Sequence, residues 1–178
     1  MKTFEEAAHE VGNTVIGIIT ADLNHYVSSD TLDGIMYDFT NLRDYIIDFG
    51  DNQVPTSDSI DVSIEAIAAW SIIRLCLGED FSLERASQVA SGISDLIIKK
   101  QKDYSKSNIK IFGEFGILVR LSDKFERLKN LSNTGKAPNF ESVDDTYRDI
   151  AGYCFVWLML RNDTFDLPMS VEQVAVVA

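Results

Sequence analysis

Proline is scarce, with three in 178 residues, and no Asn-Gly or Asp-Gly dipeptide joins two alternating, strand-like runs. A β-sandwich or barrel of this length needs more breakers and turns than that. Cysteine is rarer still. Cys76 and Cys154 both sit in apolar, helix-like stretches without metal-ligand spacing, which excludes a disulfide framework and reads as two reduced core thiols. The two histidines, His9 and His25, have no Cys, Asp or Glu pattern around them that would make a zinc site, so surface or capping roles are expected. No strained nucleophile turn or Cys/His signature points to covalent catalysis, and Gly135-Lys136 lacks the flanking residues of a P-loop, which leaves it a turn.

Basic residues are also in deficit. Sixteen Lys and Arg against 28 Asp and Glu give a formal net charge of −12, a field that repels phosphate backbones, so nucleic acid is not an expected partner. A polyphosphate escapes that argument if a divalent metal supplies positive charge locally. Long apolar runs are missing too. The most apolar stretch, Ile150 to Leu160, is too short for a bilayer, so no membrane association is expected. The opening MKTFEEAAHE carries acids where a signal peptide carries bases, and a reducing cytoplasm is the expected location.

What the chain does have is a balanced globular composition, 46% apolar and 25% charged, and long stretches of helical periodicity. A chain of this size buries roughly 70% of its unfolded surface, as one compact domain or two small ones in contact. The fold class expected is all-α, with six helices. They run over about 3–27; 29–49, opened by Ser29/Asp30 and stopped at Gly50; 58–78, stopped at Gly78; 82–106, capped by Ser82; 110–132, ended by the turn containing Gly135 and Pro138; and 141–162. After Asp163 no pattern is evident.

The six helices read as one three-helix unit written twice. A shift of 78 lays the first helix on the fourth, with Ala8 on Ala86, Ile19 on Ile97 and Tyr26 on Tyr104. A shift of 82 lays the second on the fifth, with Gly34 on Gly116 and Phe39 on Leu121; a shift of 83 lays the third on the sixth, with Asp61 on Asp144, Ala68 on Ala151 and Leu75 on Leu158. The copies span 1–80 and 81–163, followed by a tail, 164–178. Their differences are directional: Asp123 matches Asn41, Asp145 matches Val62, Asp149 matches Ala66, Lys100 matches Asp22, Asp103 matches His25 and Arg120 matches Asp38. The first copy is a scaffold without the site.

In the second copy Glu141, Asp145 and Asp149 recur every four residues, which stacks three carboxylates on one stripe of a helix. Such a stripe repels itself unless it is solvated, paired with cations or neutralised by a hard divalent metal. The preceding helix offers both kinds of partner in Arg120, Asp123, Lys124 and Arg127, with Glu126 alongside.

The segments KKQKDYS, FGEFGILVRLSDKFERLKNL and ESVDDTYRDIAGY, in that order over about residues 99–160, resemble a MazG-like family of all-α nucleotide pyrophosphohydrolases. The resemblance is to its phage-type, nucleotide-modification-associated branch, described as dATP/dGTP diphosphohydrolase-like. It implies a helical bundle that holds Mg²⁺, or Mn²⁺ in its place, against a nucleoside triphosphate, a dNTP above all, and releases nucleoside monophosphate and pyrophosphate. Carried over residue by residue, it gives metal binding to Asp123, Asp145, Asp149 and Glu141, phosphate contacts to Lys100, Arg120, Lys124 and Arg127, and the sugar or base to Asp103 and Tyr104. Glu141, Glu126 or Glu114 would orient or deprotonate the attacking water, a choice that spacing leaves open. This sequence departs from the better-known members, which carry E-x-x-E followed by E-x-x-D: here the first pair is Arg120 with Asp123, or Asp123 with Glu126, and the second is Asp145 with Asp149. MazG-like proteins build their sites by dimerising, so the tandem copy makes a pseudo-dimer the expected architecture, with homo-oligomerisation beyond it open. The resemblance also implies a host's cytoplasm if the chain is phage-encoded. The other reading is a non-catalytic bundle that captures a nucleotide or a protein, as a regulator or a phage–host conflict factor.

Overall fold

The computed structural model describes residues 1–28, 30–48, 58–77, 81–135, 137–139 and 141–170. Ser29, Gly50, Gly78 and Lys136, and the end of the tail, lie outside them. The described residues form eight α-helices and no strand: α1 (Phe4–Ala21), α2 (Leu23–Ser28), α3 (Thr31–Asp48), α4 (Asp58–Cys76), α5 (Leu83–Asp103), α6 (Ser107–Lys110), α7 (Gly113–Thr134) and α8 (Val143–Arg161). The chain is all-α, as expected, and no helix among the described residues is long and apolar enough to cross a membrane.

Local chemistry sets four of the eight helix starts among the described residues. The Thr3 hydroxyl accepts from the Glu6 amide at 3.3 Å while Glu6 accepts from the Thr3 amide at 2.8 Å, a capping box at the head of α1. Ser142 and Asp145 repeat the device on α8, Ser82 accepts from the Arg85 amide on α5, and Asp30 accepts from the amides of Leu32 and Asp33 on α3. Gly135, in the left-handed region at φ 59°, closes α7.

One expected helix is divided and another ends early. The first breaks at Asp22, whose backbone leaves the helical region at φ −134° and ψ 47°, and the separate α2 then places Tyr26 against Trp70 with ring centroids 4.7 Å apart. The fourth stops at Asp103, and a single turn, α6, intervenes before α7. Gly113, the first residue of α7, stands at φ 51°, a conformation that strains other residues, so the α6–α7 corner depends on glycine.

α4 and α8 form the central pair. Both are apolar almost all round, which is the pattern of a helix enclosed by others: Ile64, Ile67, Ala68, Trp70 and Ile73 on α4, and Ile150, Cys154, Phe155 and Trp157 on α8, are buried. α1 crosses α5, α3 lies on α4, and α7 lies on α8. α1 also meets α4 and α8, and α5 also meets α8 and α4. The Phe39 and Phe125 rings stack at 3.9 Å between α3 and α7. Residues 1–80 and 81–163 thus share one hydrophobic core among the described residues. The two cysteines are free and buried, as expected.

The segment after α8, patternless in sequence, is docked. Phe165 is buried edge-on against Phe4 at 5.7 Å, and the Phe4 amide, one of the donors that a helix start leaves unsatisfied, gives its hydrogen to the Pro168 carbonyl at 2.9 Å. Lys106 donates to the Leu167 carbonyl at 2.6 Å and Lys110 pairs with Asp166 at 2.7 Å, which ties α6 to the same segment.

Candidate functional site

The short turn between α7 and α8 makes these helices antiparallel neighbours, so the basic stripe of α7 faces Asp145 and Asp149 of α8; Glu141, expected on the same helical stripe, lies in the turn ahead of the N-cap Ser142. Lys124 Nζ lies 2.7 Å from Asp149 Oδ2 and 3.2 Å from Glu141 Oε2. Lys100 Nζ, arriving from α5, is 3.4 Å from Asp149 Oδ1. A row of alternating charge results: Glu141, Lys124, Asp149, Lys100. The Lys124 and Asp149 side chains are only 19% and 21% exposed, so this pair is screened less than an ordinary surface ion pair. Burial by itself would lower the Lys124 ammonium, but the hydrogen bonds and charges of Asp149 and Glu141 outweigh it and hold its pKa above the usual lysine value.

The other members of the two stripes have different employment. Asp145 is the capping-box residue of α8: the Ser142 hydroxyl and amide donate to its carboxylate at 2.8 and 3.2 Å, and Arg148 pairs with it at 3.1 Å. Those hydrogen bonds hold its carboxyl below the usual range. Arg127 clasps the turn before α8 by donating to the carbonyls of Glu141 and Ser142. Asp123 and Glu126 are exposed on α7 and enter no hydrogen bond or ion pair with the described residues. Glu114 belongs to another cluster. It lies 3.6 Å from Arg161 Nε, which pairs at 3.1 Å with Asp61, and Asp61 also accepts from the Trp157 indole at 3.3 Å. Arg161 is three turns beyond Asp149, roughly 18 Å along the helix axis. Burial raises the Glu114 carboxyl, against the pull of Arg161.

A cleft of about 360 Å³ opens beside this row, between α5, α6, α7 and α8. Ile93, Ile97 and Val156 make its apolar floor, Lys100, Arg120 and Arg148 bring three cations, Asp149 is its one carboxylate, and Tyr104, Tyr153, Gln101 and Asn108 complete its walls. The Arg120 guanidinium stands 5.9 Å from the centre of the Tyr153 ring and donates to the Asn108 carbonyl at 3.4 Å. Of the expected substrate contacts, Lys100, Tyr104 and Arg120 line this cleft. Asp103 is exposed outside it, Lys124 stands behind Asp149, and Arg127 is at the turn. Arg148 and Asn108 are additional lining residues. Arg148 has a legible signal, a cation directly before Asp149 on the same helix; Asn108 has none, because α6 was not visible in the sequence.

The expected metal ligands can be tested against this geometry. Among the described residues, no group of three or more His, Cys, Asp or Glu is close enough to hold a metal ion. Glu141 and Asp149 do converge, but on the Lys124 ammonium, while Asp145 turns to Ser142 and Arg148 and Asp123 stands apart. As arranged here, Asp123, Asp145, Asp149 and Glu141 do not fit a shared Mg²⁺ or Mn²⁺ centre.

In the first half, the positions that match the cleft are packed on one another. Trp70, the counterpart of Tyr153, lies against Tyr26, the counterpart of Tyr104, and against His25 at 5.2 Å, and its indole donates to Asp38, the counterpart of Arg120, at 3.1 Å. Burial raises the Asp38 carboxyl, with the Trp70 hydrogen bond and His25 opposing, and burial with the charges of Asp38, Asp22 and Glu65 pushes the Tyr26 phenol up to about 12. Leu42 and Ala66, the counterparts of Lys124 and Asp149, are apolar, and Leu42 is buried.

Fold and site together define an all-helical bundle with a cation-lined cleft at one end of its α5–α7–α8 face. No protein-family model, curated protein or solved structure matches the chain.

Proposed function

We propose that the chain is a MazG-like bundle of two degenerate three-helix copies and that its second copy binds a nucleoside triphosphate, a dNTP in particular, in the α5–α7–α8 cleft. The observation that carries the binding reading is the placement of charge: in a chain of net charge −12, three cations, Lys100, Arg120 and Arg148, line one cleft beside two tyrosine rings. Guanidinium forks suit phosphate oxygens, a tyrosine face suits a base, and the cleft volume lies in the range of small-ligand sites.

The two-copy reading is supported by the helix pairings. Exchanging α1 with α5, α3 with α7 and α4 with α8 maps every pairing of these six helices described above onto another of them, or onto itself. It is supported again at residue level, since the matched pairs Asp38–Trp70 and Arg120–Tyr153 are both in contact.

The resemblance implies release of pyrophosphate with Mg²⁺. The pairing of Glu141 and Asp149 with lysine favours the other reading, capture of the nucleotide without turnover. One experiment covers both: calorimetric titration with a panel of NTPs and dNTPs, and product analysis of the same mixtures with Mg²⁺. Binding that weakens about tenfold or more in Arg148→Ala, at unchanged helicity, is expected. Monophosphate and pyrophosphate in the product analysis would establish the hydrolase, binding without them the capture protein. Failure of every nucleotide to bind would refute the proposal.

A further inference from the structure

Lys124 stands where a divalent cation would have to stand. Its ammonium is within 3.2 Å of oxygens from both Asp149 on α8 and Glu141 in the turn ahead of that helix, and it is mostly enclosed. Asp149 faces the cleft, so its charge bears directly on any anion there. With Lys124 in place, and Lys100 on its other oxygen, that charge is compensated from within the chain.

From this geometry we infer that Lys124 is a built-in counter-ion that takes the place of a metal, so that the cleft accepts its anionic ligand without a divalent cation. The ligand half of this inference rests on the nucleotide reading above; the metal half does not. Removing the ammonium leaves two carboxylates facing one vacated position, an oxygen-rich cradle of the kind hard divalent ions prefer. It also leaves Asp149 as an underpaired negative charge at the wall of an anion site. The consequence is an inversion: loss of Lys124 makes a metal-indifferent site metal-dependent. The first half indicates that an apolar side chain is tolerated at this place in the fold, since Leu42 is the buried counterpart of Lys124.

The test uses the full chain as wild type, Lys124→Met, Lys124→Arg and Lys124→Met with Asp149→Asn, with circular dichroism to check folding and Lys124→Gln in reserve if the methionine variant does not fold. Mn²⁺ alone is titrated first and the free ion read by electron paramagnetic resonance. Lys124→Met should bind Mn²⁺ at least about tenfold more tightly than wild type or Lys124→Arg, and the double variant should lose the gain. Wild-type binding as tight as that of Lys124→Met, or no gain in that variant, overturns the inference. dATP is then titrated in EDTA and in Mg²⁺. Wild-type affinity should agree within about twofold between the two, whereas Lys124→Met should weaken about tenfold in EDTA and recover with Mg²⁺. A wild type that binds dATP only with Mg²⁺ also overturns it. Absence of dATP binding in every chain counts against the nucleotide reading, and the Mn²⁺ titration still decides the role of Lys124.

Discussion

Positions that the sequence shifts of 78, 82 and 83 pair between the two halves are put to opposite uses. Around Trp70 in the first, matched positions close on one another: the indole is buried, Tyr26 and His25 lean on it, and Asp38 takes its hydrogen bond. Around Tyr153 in the second, the same positions hold a smaller phenol, a long cation in place of Asp38, and a Tyr104 that is 60% exposed, and a cleft remains. At these paired positions a few side-chain volumes and charges separate packed core from open cleft. The apolar pair Leu42 and Ala66 against the ion pair Lys124 and Asp149 teaches the same lesson, since burying charge is tolerable only where an opposite charge meets it.

The comparison is easiest to break at its aromatic members. Trp70→Ala removes a filled core and strands the Asp38 carboxylate, and should cost about 3–5 kcal/mol in urea unfolding. Tyr153→Ala, at the matched but half-open position, should cost only about 1–2 kcal/mol. Equal losses would mean that the halves are packed alike.

Glycines sharpen the contrast. A Cβ on Gly34 would meet the Trp70 ring at 2.6 Å, so Gly34→Ala should destabilise by about 1–3 kcal/mol through overpacking. Gly152, on the cleft wall with nothing within 4 Å of its would-be Cβ, should behave oppositely: Gly152→Ala should stabilise by about 0.5–1 kcal/mol, because alanine fixes a helix interior at lower entropic cost. Thermal melts of both variants measure the difference in sign.

The smallest effect is in pH. Burial raises the carboxyls of Asp38, Glu65 and Glu114, with the Asp61 charge adding at Glu65. A carboxyl whose folded pKa exceeds its unfolded value favours the folded state fully below the unfolded value, and that advantage is lost as pH rises through the folded one. Lowering pH from 7 towards about 4 should therefore let these three groups add stability. Asp145, lowered instead, contributes above its unfolded value and loses that only as pH falls through its folded one, at the acid end of this window or beyond. Asp38→Asn should flatten the stability gain on acidification from pH 7 towards about 4 while keeping an acceptor for the Trp70 indole; an unchanged slope would overturn the raised Asp38 carboxyl.

Much of the fold was legible because helices announce themselves locally. The cap residues Thr3, Asp30, Ser82 and Ser142 stand where the sequence placed helix starts, and the buried faces follow the apolar spacing. The break at Asp22, the turn α6 and the docked tail were not legible. The first sets Tyr26 against Trp70, and the last two are held to one another by Lys106 and Lys110 and to Phe4, distant partners that a window of neighbouring residues does not contain. Of the site, the acidic and basic stripes were legible as faces, whereas Glu114, placed by resemblance beside the others, belongs three helical turns away with Arg161.

By itself the sequence determined the class of fold, the starts of α1, α3, α5 and α8 to within a residue or two and the sign of charge on each helical stripe, since these follow from capping chemistry and a 3.6-residue period within single segments. Only the tertiary structure decided that Glu141 and Asp149 meet a lysine, that Asp145 serves its own helix and that Arg148 joins a cleft. Charge pairing is settled over distances of about 3–4 Å. The relative height and rotation of packed helices set those distances, and they are properties of the whole core rather than of any one helix.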